Sequence, residues 1–195
     1  VTYLYQRDRS LMDRYEFYAT DDQAYNMHRR LIIPFTWKNQ VIGYTGRAID
    51  PNIKPRYHNS HAPNYVFNVD KQLDSSAFVI VVEGPFDAMA IDGVAILSNE
   101  CSEVQADIID SLGREVIVVP DADRAGTKLV DAALEYGWSV SMPDWPDGVK
   151  DVNDAVVKLG KLATLWLIRE SKESSNLKIQ LRAKKWFKDE HENID

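Results

Sequence analysis

The chain has a single cysteine, Cys101, in 195 residues. That excludes an intrachain disulfide and any multi-cysteine zinc site, and it fits a reducing compartment. Long apolar runs are missing too. Nothing approaches the roughly 18–20 residues needed to span a bilayer, so no membrane partner is expected. The opening VTYLYQRDRS is charged and lacks the apolar stretch of a signal peptide. Together these absences point to the cytoplasm. The chain starts at Val1 rather than Met, which fits a fragment or a processed piece. There is no internal repeat and no low-complexity tract. Positive charge is in deficit: 23 Lys and Arg stand against 30 Asp and Glu, a net charge of −7. That is the wrong sign for a uniform phosphate-binding surface. What remains is a 45% hydrophobic composition, enough to build a core in one large domain or two small ones.

The distribution of charge says more than its sum. Residues 26–60 carry six basic side chains (Arg29, Arg30, Lys38, Arg47, Lys54, Arg56) against one acid, Asp50. Residues 83–154 hold sixteen Asp or Glu against Arg114, Arg124, Lys128 and Lys150. Charge runs are usually solvated faces. The sharper reading is a phosphate-tracking front beside a metal-binding middle.

Along the chain, residues 2–27 read as one or two short helices with a loop. LIIPFTW and QVIGYTGRAI read as a hairpin turning at Lys38-Asn39, with Gly43 and Gly46 allowing a close approach or a bend. The loop DPNIKPRYHNSHAPNY follows, then a strand at YVFNV (65–69) and a linker at 71–76. From residue 78 the pattern alternates. Strands are expected at 78–82, 94–98, 115–120 and 138–142. Helices are expected at 85–92, from the Ser102–Gln105 capping box to Leu112, and at 124–136 up to Gly137. Two further helices fall at 151–159 and 161–171. Such alternation implies right-handed βαβ units and a parallel sheet. The tail from 172 is highly charged, a helix with AKKWF as its apolar point.

Two stretches carry chemistry. VVEGPFDAMA (81–90) runs from an apolar strand into Glu83-Gly84. VVPDADRAGTK (118–128) runs from another into Asp121 and Asp123, with Gly126 permitting close packing at the next helix start. If the two strands are neighbours, three carboxylates meet at the carboxyl edge of the sheet, where open α/β sheets bind ligands. A divalent cation between them would offset their repulsion. The same residues also fit acids capping helix N-termini. Residue types alone leave both readings open.

The order strand-EG-helix, then strand-DxD-x-AG-helix, resembles the TOPRIM domain. RLIIPF (30–35), GYTGRAI (43–49) and PRYHNS (55–60) in front, and DGVKDVNDAVVKLG (147–160) behind, resemble the RNA polymerase core of DnaG-type bacterial and phage primases over roughly residues 1–160. The resemblance implies an α/β fold: a TOPRIM domain (Rossmann-like parallel sheet flanked by helices) at 77–160, a small basic α+β subdomain at 1–76, and a helical segment at 161–195. It implies a DNA primase making short RNA primers by nucleotidyl transfer. The catalytic residues would be Glu83, Asp121 and Asp123. Mg²⁺ or Mn²⁺ would be held by these with Asp87, Asp151 and Asp154. Arg30, Arg47, Lys54, Arg56, Tyr57 and Asn59 would touch template or triphosphate. Partners would be single-stranded DNA, NTPs and, through regions outside this chain, a replicative helicase, in the cytoplasm of a bacterial or phage-infected cell.

The chain departs from the family pattern in places. Asn153 replaces a usual aspartate, Arg56 a usual lysine, and Asn99-Glu100-Cys101 a usual glycine-threonine turn. No zinc-ribbon or helicase-binding segment is matched, and no zinc is expected. The alternatives are a TOPRIM nuclease, which the basic hairpin argues against, and a non-catalytic binding module, which the intact carboxylate set argues against.

Overall fold

The computed structural model describes residues 2–98, 100–123 and 126–187, apart from the side chains of Gln6 and Tyr25. The chain divides into two compact units, one ending at Tyr65 and the other beginning at Val66.

In the first unit, α1 (Thr2–Arg7) and α2 (Leu11–Arg14) precede four strands: β1 (Tyr18–Thr20), β2 (Arg30–Trp37), β3 (Gln40–Ala48) and β4 (Tyr57–Ser60). They form an antiparallel sheet in the order β1-β2-β3-β4. β2 buries Leu31, Ile33 and Phe35, the period-2 face of a strand packed on one side. Lys38 and Asn39 close the β2–β3 hairpin, both with positive φ, the sign a two-residue type I′ loop requires. Two strands depart from the sequence reading. β1 lies in the stretch read as helix and loop, and β4 in the stretch read as a loop. The glycines explain β4. A Cβ on Gly43 would stand 2.5 Å from the Ser60 carbonyl oxygen, and Gly46 faces His58 across the β3–β4 pair. These glycines admit a neighbouring strand.

The second unit begins with a second departure. YVFNV makes no strand. Phe67 forms a single antiparallel bridge to Ala95, and Asn68, at φ 66°, turns the backbone into a 3-10 turn at Val69–Lys71. The alternating pattern then appears as β5 (Phe78–Val82), α3 (Pro85–Ile91), β6 (Val94–Ala95), α4 (Glu103–Asp110), β7 (Glu115–Val118), α5 (Gly126–Tyr136), β8 (Ser139–Ser141), α6 (Val152–Leu159), α7 (Lys161–Glu170), β9 (Lys172–Glu173) and α8 (Asn176–Trp186). The sheet order is β6-β5-β7-β8-β9, parallel except for β9 at the edge. The start expected for α5 at Arg124 and Ala125 lies outside the described residues.

Val79, Val81, Val116, Val118 and Val140 supply the sheet's buried face to a core shared with Ile109, Leu129 and Ile179. Ser102 and Gln105 complete the capping box of α4 in both directions. Ile179, fully buried, ties α8 to this core, an anchor the charged tail conceals. Among the described residues, no helix is long and apolar enough to cross a membrane.

Candidate metal centre and basic strand residues

β5 and β7 are parallel neighbours, with Val81 opposite Val118. The Val119 amide donates to the Val81 carbonyl at 2.9 Å, carrying the pairing past the end of β7. The residues that follow the two strands therefore emerge at the same edge of the sheet. The Asp121 backbone amide donates to Glu83 Oε1 at 3.2 Å.

Both carboxylates are costly to ionise. Burial pushes Glu83 up from an ordinary 4.5 to about 8, with Asp121 and then Asp123 adding repulsion and the Asp121 hydrogen bond opposing. Burial likewise pushes Asp121 up to about 6, helped by Asp123 and Asp151. Among the described residues, neither Glu83 nor Asp121 forms an ion pair.

The other acids have helix amides as partners. Asp123 Oδ1 accepts from the Gly126 amide at 3.1 Å, at the start of α5. Asp151 is the N-cap of α6, its Oδ1 accepting from the Asp154 amide at 2.7 Å. Asp87 Oδ1 accepts from the Asn153 amide at 2.9 Å. The capping reading of the acids therefore holds for these three. Each bond engages one carboxylate oxygen.

The close pair is thus Glu83 with Asp121, and Asp123 and Asp151 act on it through their charge. Among the described residues, no three His, Cys, Asp or Glu side chains are gathered closely enough to hold a metal ion as they stand. This corrects the expected convergence of three carboxylates. The reason is the N-terminal amides of α5 and α6, which turn Asp123 and Asp151 toward themselves. Asp87 and Asp154 both lie at the start of α6, Asp87 through the Asn153 amide and Asp154 in the helix's first turn. Asn153 is wholly buried on α6. The donor set is nonetheless one of hard oxygens around a half-buried carboxylate pair, which suits Mg²⁺ or Mn²⁺.

Gly126 fits the close packing read from the sequence. A Cβ there would stand 2.1 Å from the Asp121 carbonyl oxygen.

The basic residues of the first unit divide by burial. Arg30 is fully buried, and its guanidinium donates to three backbone carbonyls: Asn26 at 2.7 Å, Gly46 at 2.9 Å and Pro55 at 2.9 Å. It braces the sheet, which corrects the expectation that it touches template or triphosphate. Its stem passes 3.0 Å from where a Gly46 Cβ would be, so Gly46 makes room for it.

Arg47 is also buried, and its guanidinium carbon lies 4.6 Å from the Tyr57 ring centroid. Among the described residues its Nε has no hydrogen-bond partner. Lys54, Arg56 and Asn59 are exposed, and Thr45 donates its hydroxyl hydrogen to Asn59 Oδ1. Sequence reasoning missed buried Thr45, which presents only as one more β-prone residue. His61 packs its ring near Phe35 and Tyr65. Trp138 is core, its indole donating to Asp110 at 2.7 Å.

A parallel sheet with carboxylates after adjacent strands defines a class, and residues 80–156 match the Toprim-like family. The chain more widely has the fold of the DnaG-type primase catalytic core. It is 27% identical to the DNA primase of Aquifex aeolicus (strain VF5), over 74% of this chain and 33% of that one. The RNA polymerase domain of Mycobacterium tuberculosis primase DnaG superposes with a TM-score of 0.64 at 21% identity, covering 93% of this chain and 68% of that one. A DnaG primase catalytic domain solved bound to single-stranded DNA gives a TM-score of 0.60 at 24% identity, covering 84% of this chain and 58% of that one. The chain spans a third or less of the length of the curated primases it matches.

Proposed function

We propose that this chain is part of the catalytic core of a DNA primase, joining NTPs into short RNA primers on single-stranded DNA. The observation that carries this reading is the Glu83–Asp121 pair. Two half-buried carboxylates stand at the carboxyl edge of a parallel sheet, the Asp121 backbone amide donating to Glu83 and both carboxyl groups resisting ionisation. A protein that buries such a pair gains most from it when a cation is supplied.

Glu83 and Asp121 would hold Mg²⁺ or Mn²⁺, with Asp123 and Asp151 completing the set. When bound, the metal activates the attacking 3′-hydroxyl and stabilises charge on the phosphorus and the departing pyrophosphate. The chain's own groups prepare that site. The Asp121 amide fixes the Glu83 carboxylate. The N-termini of α5 and α6 offset negative charge.

In the first unit, exposed Lys54 and Arg56 supply phosphate contacts, as does Asn59. Arg47, buried with its guanidinium against Tyr57, would position that ring beside the exposed phosphate contacts. The DNA-bound relative supports a single-stranded template as the ligand. The setting is replication in the cytoplasm of a bacterial or phage-infected cell, with a replicative helicase engaged through regions outside this chain.

The test is incubation with single-stranded DNA, labelled NTPs and Mg²⁺ or Mn²⁺. Short RNA products that vanish in the Asp121→Ala, Asp123→Ala double variant support the proposal. Shortened DNA without NTP use identifies a nuclease instead. DNA binding with neither product identifies a non-catalytic module.

A further inference from the structure

We propose that Asp87 is a positioning residue: its carboxylate holds the first turn of α6 against α3, and so sets where Asp151 stands relative to Asp121. The consequence at Asp151 rests on the metal reading above. The clamp itself does not.

The first observation is the bond from the Asn153 amide to Asp87 Oδ1, 2.9 Å long and 66 residues apart in sequence. The first amides of a helix have no partner within it and must be satisfied from outside. In α6 the second is satisfied by Asp87 and the third by the N-cap Asp151, through the Asp154 amide at 2.7 Å. Two carboxylates from distant parts of the chain thus hold consecutive amides of one helix start. One of the two, Asp151, bears on Asp121.

The second observation is the direction of the other Asp87 oxygen. Oδ2 lies 3.1 Å from where a Cβ on Gly84 would stand. Gly84 leaves room for the carboxylate to fold back over the start of α3. One oxygen therefore faces α6 and the other faces the residue that opens α3. The helices themselves are packed together, with Ala88 of α3 and Ala155 of α6 both fully buried. The small residues let the backbones approach, and Asp87 fixes how the start of α6 sits on α3. Because Asp151 immediately precedes that start, a loosened first turn would move its carboxylate.

The discriminating pair is Asp87→Asn and Asp87→Ala in this same chain. Asparagine keeps an oxygen acceptor of the same reach and removes the charge. Alanine removes both. The readouts are hydrogen exchange at the Asn153 and Asp154 amides without metal, and Mn²⁺ affinity by titration.

The expected result is Asn153 exchange accelerated about tenfold or more by Asp87→Ala and within about threefold of the parent in Asp87→Asn. Mn²⁺ affinity should follow the same order, with Asp87→Asn nearer the parent and Asp87→Ala nearer Asp151→Ala. Asp87→Asn that loses Mn²⁺ as fully as Asp87→Ala, with Asn153 still protected, would make the charge itself the requirement and overturn the proposal. Unchanged Asn153 exchange in Asp87→Ala would overturn it as well. Should the parent chain bind no Mn²⁺, the metal reading fails while the exchange data still decide the clamp.

Discussion

The Asp121 backbone amide donates to the Glu83 carboxylate at 3.2 Å, joining residues that follow two neighbouring parallel strands. The bond needs only an acceptor oxygen, whereas a metal needs the charge. Glu83→Gln should therefore keep the fold and raise the stability of the metal-free protein near pH 7, by about 1–2 kcal/mol, since Gln keeps the acceptor and the folded state no longer has to take up a proton that the unfolded Glu83 has lost. The same substitution should abolish stabilisation by Mg²⁺ and cut primer synthesis about a hundredfold or more. Thermal denaturation with and without Mg²⁺ checks both. A Gln variant still stabilised by Mg²⁺ like the parent would remove Glu83 from the metal site.

A pH dependence follows from the same pair. Glu83 rises from 4.5 to about 8 and Asp121 from 3.8 to about 6, so the folded state favours their protonated forms. Wherever the folded state binds more protons than the unfolded state, stability falls as pH rises. This contribution is therefore greatest below pH 4 and declines through pH 8. In chelator, the parent should lose more stability than Glu83→Gln between pH 5 and pH 8. Mg²⁺ should reverse the trend, binding more tightly as pH rises and releasing protons as it does. Calorimetric titration in buffers of different ionisation enthalpy measures that release. An identical pH slope in parent and variant would contradict the prediction.

Gly126 offers a steric test. Its Cβ would stand 2.1 Å from the Asp121 carbonyl oxygen, so Gly126→Ala must move the backbone that presents Asp121. A cost of about 1–3 kcal/mol is expected for such overpacking, together with weakened Mn²⁺ binding. Gly137→Ala is the control. Its φ is +73° with nothing within 4 Å of the added carbon, so it should cost about 1 kcal/mol through backbone strain alone and leave Mn²⁺ affinity unchanged.

The basic residues should separate by what each holds. Arg30→Ala leaves the buried Gly46 carbonyl and the partly buried Asn26 and Pro55 carbonyls without their donor and should destabilise the antiparallel unit by about 3 kcal/mol or more. Arg56→Ala, at an exposed position, should leave stability within about 0.5 kcal/mol. It should weaken single-stranded DNA binding and reduce the salt dependence by roughly one phosphate contact. Chemical denaturation and binding titrations at several salt concentrations separate the two.

Much of this protein was legible in its sequence because the signals are local. Apolar β-branched runs punctuated by Gly84, Gly126 and Gly137, and the Ser102–Gln105 box, determine strands and helices by short-range geometry. The acids placed just after the strands follow from the same pattern, and so does their meeting once β5 and β7 pair in parallel. Long-range pairing decided the rest. Arg30 and Arg56 look alike in sequence, yet only the approach of β3 and of the Pro55 carbonyl makes one a buried brace and leaves the other exposed. Asp87, Asp123 and Asp151 look like equivalent ligands. Each also accepts from an amide at a helix start, and for Asp87 that amide lies 66 residues away. Composition and spacing placed Glu83 and Asp121 after adjacent parallel strands. Which oxygens face a cation and which face a helix amide was decided by where α5 and α6 start in space, because an unsatisfied amide takes the acceptor nearest to it.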